Sequence, residues 1–145
     1  RDAVLSVRRS KGMVIDPADP DTRSVGSFFM NPVVGADCHA GLVSAVAGPV
    51  PGFVLQDGRV KIRAAWLIEQ SGFARGYRSG AVGLSSKHPL AIVNRGAATA
   101  RDVVALAGLI KRQVVDRFGI WLRAEPVFVG FGDDPDVAFL KEDRA

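Results

Sequence analysis

The stretch TARDVVALAGLIKRQVVDRF, residues 99–118, carries the plainest structural signal in the chain. Thr99 and Asp102 form a T-x-x-D pattern, in which a hydroxyl and a carboxylate satisfy each other's backbone donors at a helix start. Val103, Ala107, Ile110, Val114 and Phe118 then recur at helical spacing, so they share one face. Gly119 stands where such a helix stops. A helix with one apolar face must bury it against another element, and the expected partner is a sheet.

Strand patterns flank that helix on both sides. Residues 90–93 read as a buried strand, and 121–122 and 127–129 as the last strands. Before them, Gly76, Gly80 and Gly83 mark a stretch too irregular for a helix. Residues 63–71 suit a helix, with Gly72 at its C-terminal cap. Residues 53–55 and 59–62 are short strands around the turn Asp57-Gly58. Asp37 can cap a helix running to about Ala47, with Leu42, Val43 and Val46 inward, and residues 48–52 stop it. In residues 26–34, Phe28 and Phe29 suggest a strand that Pro32 ends.

Asp16-Pro17-Ala18-Asp19-Pro20-Asp21 is turn chemistry and a candidate hinge or domain boundary. Residues 3–9 alternate Leu5 and Val7 with Ser6 and Arg8, as a half-buried strand would. The acidic, then mixed tail, residues 132–145, is expected to fray. Helices and strands alternate irregularly over short links, so the fold class is α+β.

A chain of 145 residues fits one domain, or one domain with part of another. Its 48% hydrophobic and 23% charged content is enough to build a core. No segment approaches the ~20 apolar residues that span a bilayer, so no membrane association is expected. The chain opens Arg1-Asp2-Ala3-Val4, without Met or a charged-then-apolar leader. It is therefore expected to be an internal part of a longer protein. A lone cysteine, Cys38, favours a reducing compartment, consistent with the cytoplasm.

The net charge of +4 is spread out, with its tightest cluster at Arg8, Arg9 and Lys11. It suits anionic small molecules or nucleic acid, or simply a solvated basic face. An aromatic-basic stacking motif is missing, so nucleic acid is not the expected partner. Cys38, His39 and His88 give no metal-ligand spacing, so no metal is expected. Neither a phosphate-binding G-x-x-x-x-G-K-[ST] loop nor a G-x-G-x-x-G fingerprint occurs. Ser27, His88 and Glu125 could be drawn as a hydrolase triad, but Ser27 lacks the G-x-S-x-G elbow.

Four segments, in order, carry a resemblance. They are Val25-Gly26-Ser27-Phe28-Phe29-Met30-Asn31-Pro32, and Lys61-Ile62-Arg63-Ala64-Ala65-Trp66-Leu67-Ile68-Glu69-Gln70-Ser71-Gly72. The third is Ser85-Ser86-Lys87-His88-Pro89-Leu90 with Val93-Asn94-Arg95-Gly96. The fourth is Phe118-Gly119-Ile120-Trp121-Leu122-Arg123-Ala124-Glu125-Pro126. Together they resemble the C-terminal substrate-binding domain of the UDP-N-acetylenolpyruvoylglucosamine reductase (MurB) family, over roughly residues 5–130. Met30, Pro89 and Ala124 depart from the usual pattern, and none of them removes a catalytic group.

The resemblance implies a mixed or antiparallel sheet packed with helices. It divides the chain into residues 1–20, the end of an upstream FAD-binding region and linker; 21–130, the substrate-binding domain; and 131–145, a tail. It implies an oxidoreductase dependent on FAD and NADPH. This enzyme would turn UDP-N-acetylglucosamine enolpyruvate into UDP-N-acetylmuramate for peptidoglycan synthesis, in the cytoplasm and as a monomer. Most of the flavin site would lie upstream, so the chain by itself should be inactive. A stand-alone UDP-sugar or nucleotide-binding module is the alternative.

The family reaction leaves a carbanion-like C2 that needs a proton. A serine hydroxyl is a weak acid, but it can serve a carbon that basic. By motif, Ser27 is that general acid; read alone, it could equally make a local backbone bond at a strand start. Glu125, the second catalytic residue by motif, follows Trp121-Leu122 and precedes apolar residues 127–129. A carboxylic acid in such a setting could donate a hydrogen bond to the enolate; read alone, it is an exposed acid at a strand end. Arg75, Lys87 and His88, in or beside the glycine-rich stretch, could meet a diphosphate or be surface charges. Asn31 could bind the sugar or diphosphate, or shape the turn before Pro32. Lys11 resembles the family's basic residue ahead of the serine motif, and could meet substrate or nicotinamide phosphate, or lie in a basic face.

Overall fold

The computed structural model describes residues 2–144, which form five α-helices and two antiparallel sheets. The elements run α1 (Asp2–Ser10), a 3₁₀ turn (Pro20–Thr22), β1 (Ser24–Ser27), β2 (Val33–Val34), α2 (Ala36–Ala45), β3 (Gly52–Val54) and β4 (Val60–Ile62). After them come α3 (Ala64–Gln70), β5 (Arg78–Ser79), β6 (Val82–Leu84), β7 (Ala91–Asn94), α4 (Ala100–Phe118) and α5 (Pro135–Lys141). One sheet has the order β1-β7-β6-β5 and the other β2-β4-β3. This is the expected α+β class.

The long helix begins as its sequence dictates. Thr99 Oγ1 accepts the Asp102 N–H at 3.2 Å, and Asp102 Oδ2 accepts the Thr99 N–H at 2.7 Å. Ala107, Ile110 and Val114 are fully buried, and α4 lies against β6 and β7. Val103 and Phe118 are only partly buried. Leu106 and Ile110 are worth roughly 1.5–3 kcal/mol each as buried side chains. A second face of α4, centred on Lys111, is covered as well, and its cover is α5.

That cover corrects the expectation of a frayed tail. Asp134 caps α5 by accepting the N–H groups of Asp136 and Val137, Pro135 pre-sets the first turn, and Val137 and Leu140 are buried. Residues 3–9 are also corrected, from strand to helix. None of α1 is buried, so no sheet rewards the alternation of Leu5 and Val7. Asp2 at its start and Arg8 and Arg9 at its end complement the helix dipole instead.

Residues 121–122 and 127–129 form no strand, and a single bridge, Phe29 with Ala124, is all that pairs there. The glycine-rich stretch is not irregular throughout, because it contains the β5-β6 hairpin. In the smaller sheet β4 alternates, with Val60 and Ile62 buried around exposed Lys61. Helix α2 starts at Gly35 without a side-chain cap, so Asp37 lies inside its first turn. Only Leu42 of that helix is buried, while Val43 is exposed.

Candidate functional site

Ser27 is the last residue of β1, and its position depends on a bulge. Ser24 pairs with Val93 and Ser27 with Ala91, so three steps on β1 match two on β7. The extra residue bends the strand and re-aims the chain beyond it. Gly26 adopts φ 74°, a left-handed value that a side chain would strain, and nothing lies within 4 Å of where its Cβ would be. The space over Gly26 is therefore open.

Beyond Ser27 the chain is gripped on both sides. The Phe28 N–H donates to Leu90 O at 2.8 Å. Across the other edge, the Met30 N–H donates to Arg123 O and the Glu125 N–H to Phe28 O, both at 2.9 Å. Phe28 and Phe29 anchor this strip from below, each 2% exposed, with ring centroids 5.1 Å apart. Ser27 and Glu125, far apart in sequence, thus emerge from neighbouring backbone. Ser27 is half-buried and Glu125 is exposed. The apolar setting expected for Glu125 is not supplied by Val127 and Val129, which are themselves exposed.

Loop 85–90 borders the same strip. Buried Ser85 shapes it, its Oγ accepting the N–H groups of Lys87 at 3.1 Å and His88 at 3.2 Å. His88 Nδ1 accepts the Leu90 N–H at 3.3 Å. Burial, then the positive charges of Lys11 and Arg75, hold the His88 imidazole below its ordinary pKa. Lys11 and Arg75 are therefore close enough to act on His88 through their charge. Arg75 is also within 3.4 Å of Glu69, an exposed pair.

Two other expected ligands have partners within the protein. Lys87 Nζ lies 2.5 Å from Asp19 Oδ2, and that hydrogen bond holds the lysine above and the aspartate below its ordinary pKa. Asn31 Oδ1 accepts the Ala64 N–H at 2.9 Å, satisfying an otherwise orphaned donor at the start of α3.

Sequence reasoning missed the residue that joins this region together, Asp21. It is 3% exposed, 2.7 Å from the Arg95 guanidinium, and accepts the Ser86 N–H and hydroxyl at 3.1 and 2.5 Å. Burial opposes its charged form, but the Ser86 bonds and the Arg95 charge outweigh that and keep its pKa low. In the sequence, Asp21 reads as ordinary turn chemistry. The one visible signal of its role is a charge, Arg95, directly after a buried strand.

Residues 16–129 match the family described as UDP-N-acetylenolpyruvoylglucosamine reductase, C-terminal domain. The chain belongs to that family. It is 57% identical over 136 residues to the UDP-N-acetylenolpyruvoylglucosamine reductase of Thermobifida fusca (strain YX), covering 90% of the chain and 38% of the relative. Against the protein of the same name from Mycobacterium leprae (strain Br4923) the identity is 55% over 132 residues, covering 90% and 36%. For that of Mycobacterium tuberculosis (strain ATCC 25618 / H37Rv) it is 51% over 137 residues, covering 90% and 37%. The chain thus spans little more than a third of the length of these relatives. The match to the reductase C-terminal domain family includes Ser27, Asn31, Arg75, Lys87, His88 and Glu125. Helices α1 and α5, and Lys11 between α1 and the matched residues, lie outside it.

Proposed function

We propose that this chain is the substrate-binding part of a FAD- and NADPH-dependent reductase that makes UDP-N-acetylmuramate from UDP-N-acetylglucosamine enolpyruvate for peptidoglycan. The observation that carries this reading is the pair of bonds, Met30 N–H to Arg123 O and Glu125 N–H to Phe28 O, that brings the backbone of Glu125 against Phe28, the residue after Ser27. Saturating the enolpyruvyl double bond needs a hydride at C3 and a proton at C2. The chemistry FAD supplies when bound is the hydride, received from NADPH. The hydroxyl along this edge suits the proton half, and the open space over Gly26 is where a flat ring could approach.

Ser27 gives its proton to C2, and the alkoxide left behind recovers one from water. Glu125, on adjacent backbone, steadies the charge that spreads onto the substrate carboxylate as C2 becomes basic. Lys11, Arg75 and His88 receive the diphosphate, with the neutral imidazole donating or accepting a hydrogen bond rather than adding charge. Lys87 joins them only if Asp19 yields it, and Asn31 offers its amide nitrogen while its oxygen caps α3. In this reading residues 1–20 close an upstream flavin-binding region, 21–130 bind substrate and 131–145 follow as a C-terminal segment. The enzyme works as a cytoplasmic monomer, without nucleic acid. No helix among the described residues is long and apolar enough to cross a membrane. The chain alone should hold UDP-sugar weakly and turn nothing over.

Stopped-flow absorbance on the full-length, flavin-loaded protein tests the role of Ser27 in two mixes. Ser27→Ala should reduce its flavin with NADPH at the wild-type rate, since that step takes no proton from Ser27. Mixed with substrate, the reduced variant should reoxidise slower by about 10² to 10⁴. Ser27→Cys should recover part of the rate, because a thiol also delivers a proton. Wild-type reoxidation and normal product from Ser27→Ala would remove Ser27 as the acid.

A further inference from the structure

Lys111 is fully buried, and no carboxylate forms an ion pair with it among the described residues. An ammonium in that position is costly unless its hydrogen bonds are made. Its Nζ donates to Phe139 O at 3.0 Å, Leu140 O at 3.1 Å and Glu142 O at 2.5 Å. These are the last carbonyls of α5, the negative end of that helix. The same ammonium sits 5.3 Å from the Trp121 ring and 5.2 Å from the Phe139 ring, and the two rings are 5.5 Å apart. One side chain of α4 therefore ties the end of α5 to Trp121.

Trp121 begins the strip that ends at Glu125. Leu122 beside it is fully buried, and Leu140 and Lys141 of α5 line one surface cleft with Arg123 and Ala124. The far edge of the strip is held by its two bonds to residues 28–30. Glu125 itself is exposed, so its placement rests on the backbone beneath it. A charged donor that must meet three carbonyls tolerates only one register of α5, which makes the contact specific as well as attractive.

We propose that α5, outside the family-matched residues, clamps the Glu125 strip against the Ser27 strand, with Lys111 as the positioning residue that fastens the clamp. The claim rests on the catalytic reading of Glu125 for its consequence in turnover, but not for the clamp itself. The test therefore has two arms, both on the full-length, flavin-loaded protein. Lys111→Met keeps the stem and removes the donors, and Asp134→Ala loosens α5 from its other end without touching Lys111.

In the first arm, hydrogen exchange is followed at the Glu125 amide, the donor to Phe28 O. Both variants should speed it, Lys111→Met by about tenfold or more as a buried charged hydrogen-bond donor is lost. Lys111→Arg should restore much of the protection. Wild-type exchange in Lys111→Met overturns the clamp. If Lys111→Met does not fold, Asp134→Ala decides in the same way.

In the second arm, reoxidation of reduced flavin by substrate is measured in Lys111→Met, Glu125→Ala and the double variant. A positioning residue acting through Glu125 slows the wild type but adds nothing to Glu125→Ala. An equal slowing in both backgrounds overturns the positioning role. Faster exchange together with a wild-type rate in Glu125→Ala upholds the clamp and instead removes Glu125 from the catalytic reading.

Discussion

His88 shows how much a single side chain's surroundings decide. Its imidazole is held below its ordinary pKa first by burial and then by Lys11 and Arg75, so it is neutral at neutral pH. A bound diphosphate would bring negative charge to the same neighbourhood and raise that pKa. By linkage, binding must then take up protons and tighten as the pH falls toward the lowered pKa of the free imidazole, below its ordinary value of about 6.5. Calorimetry with UDP-N-acetylglucosamine on the full-length protein at several pH values should show that trend, and His88→Asn should flatten it. A profile unchanged by the substitution would move His88 out of the proposed diphosphate site. Motif named the candidate residues, and the fold brings the backbone of Glu125 to Phe28, the residue after Ser27. Their internal partners were not. Nothing in the local sequence of Lys87 or Asn31 announces that Asp19 holds one and that the start of α3 holds the other, because those contacts are created by the fold.

Among the elements, the β5-β6 hairpin was the hardest to foresee, since glycine is as permissive in a loop as in a strand. Its reason lies in space: a Cβ on Gly83 would stand 2.3 Å from Tyr77 O, the carbonyl that accepts the Leu84 N–H at 2.8 Å. Gly83→Ala must push that carbonyl away, and overpacking of this kind costs about 1–3 kcal/mol or more. Thermal denaturation should place its midpoint several degrees below that of Gly80→Ala, whose Cβ would meet open space although its backbone is left-handed. Equal midpoints would mean that the hairpin yields. The long helix was legible throughout, because capping, periodicity and the stop signal agreed. Helices α1 and α5 were missed for opposite reasons. In α1 a short alternation imitates a strand, and only the lack of a sheet to receive it decides otherwise. In α5 the capping residues Asp134 and Pro135 were present, but seven residues give too short a period to stand out. What stabilises α5 is burial against α4, supplied by residues far away.

At the scale of the whole molecule, Asp21 joins the segment ahead of β1 to Ser86, 65 residues further on, and to Arg95 beyond it. Its carboxyl is held below its ordinary pKa in the folded state. The stability this contributes is present above the unfolded pKa of about 3.9 and is lost as the pH falls through the lower folded value. Urea denaturation at neutral and acidic pH should show Asp21→Asn less stable than wild type at neutral pH, with a shallower loss on acidification. Parallel curves would mean that the network carries no linked protons. The arrangement of the two tryptophans has a practical consequence of another kind. Trp66 stacks on Phe118, 5.7 Å away, where α3 meets α4, whereas Trp121 lies against both Phe139 and the Lys111 ammonium. The chain has no other tryptophan. It therefore carries two native chromophores on separate joints, and with Trp66→Phe the remaining emission is an intrinsic optical gauge of whether its last helix is docked.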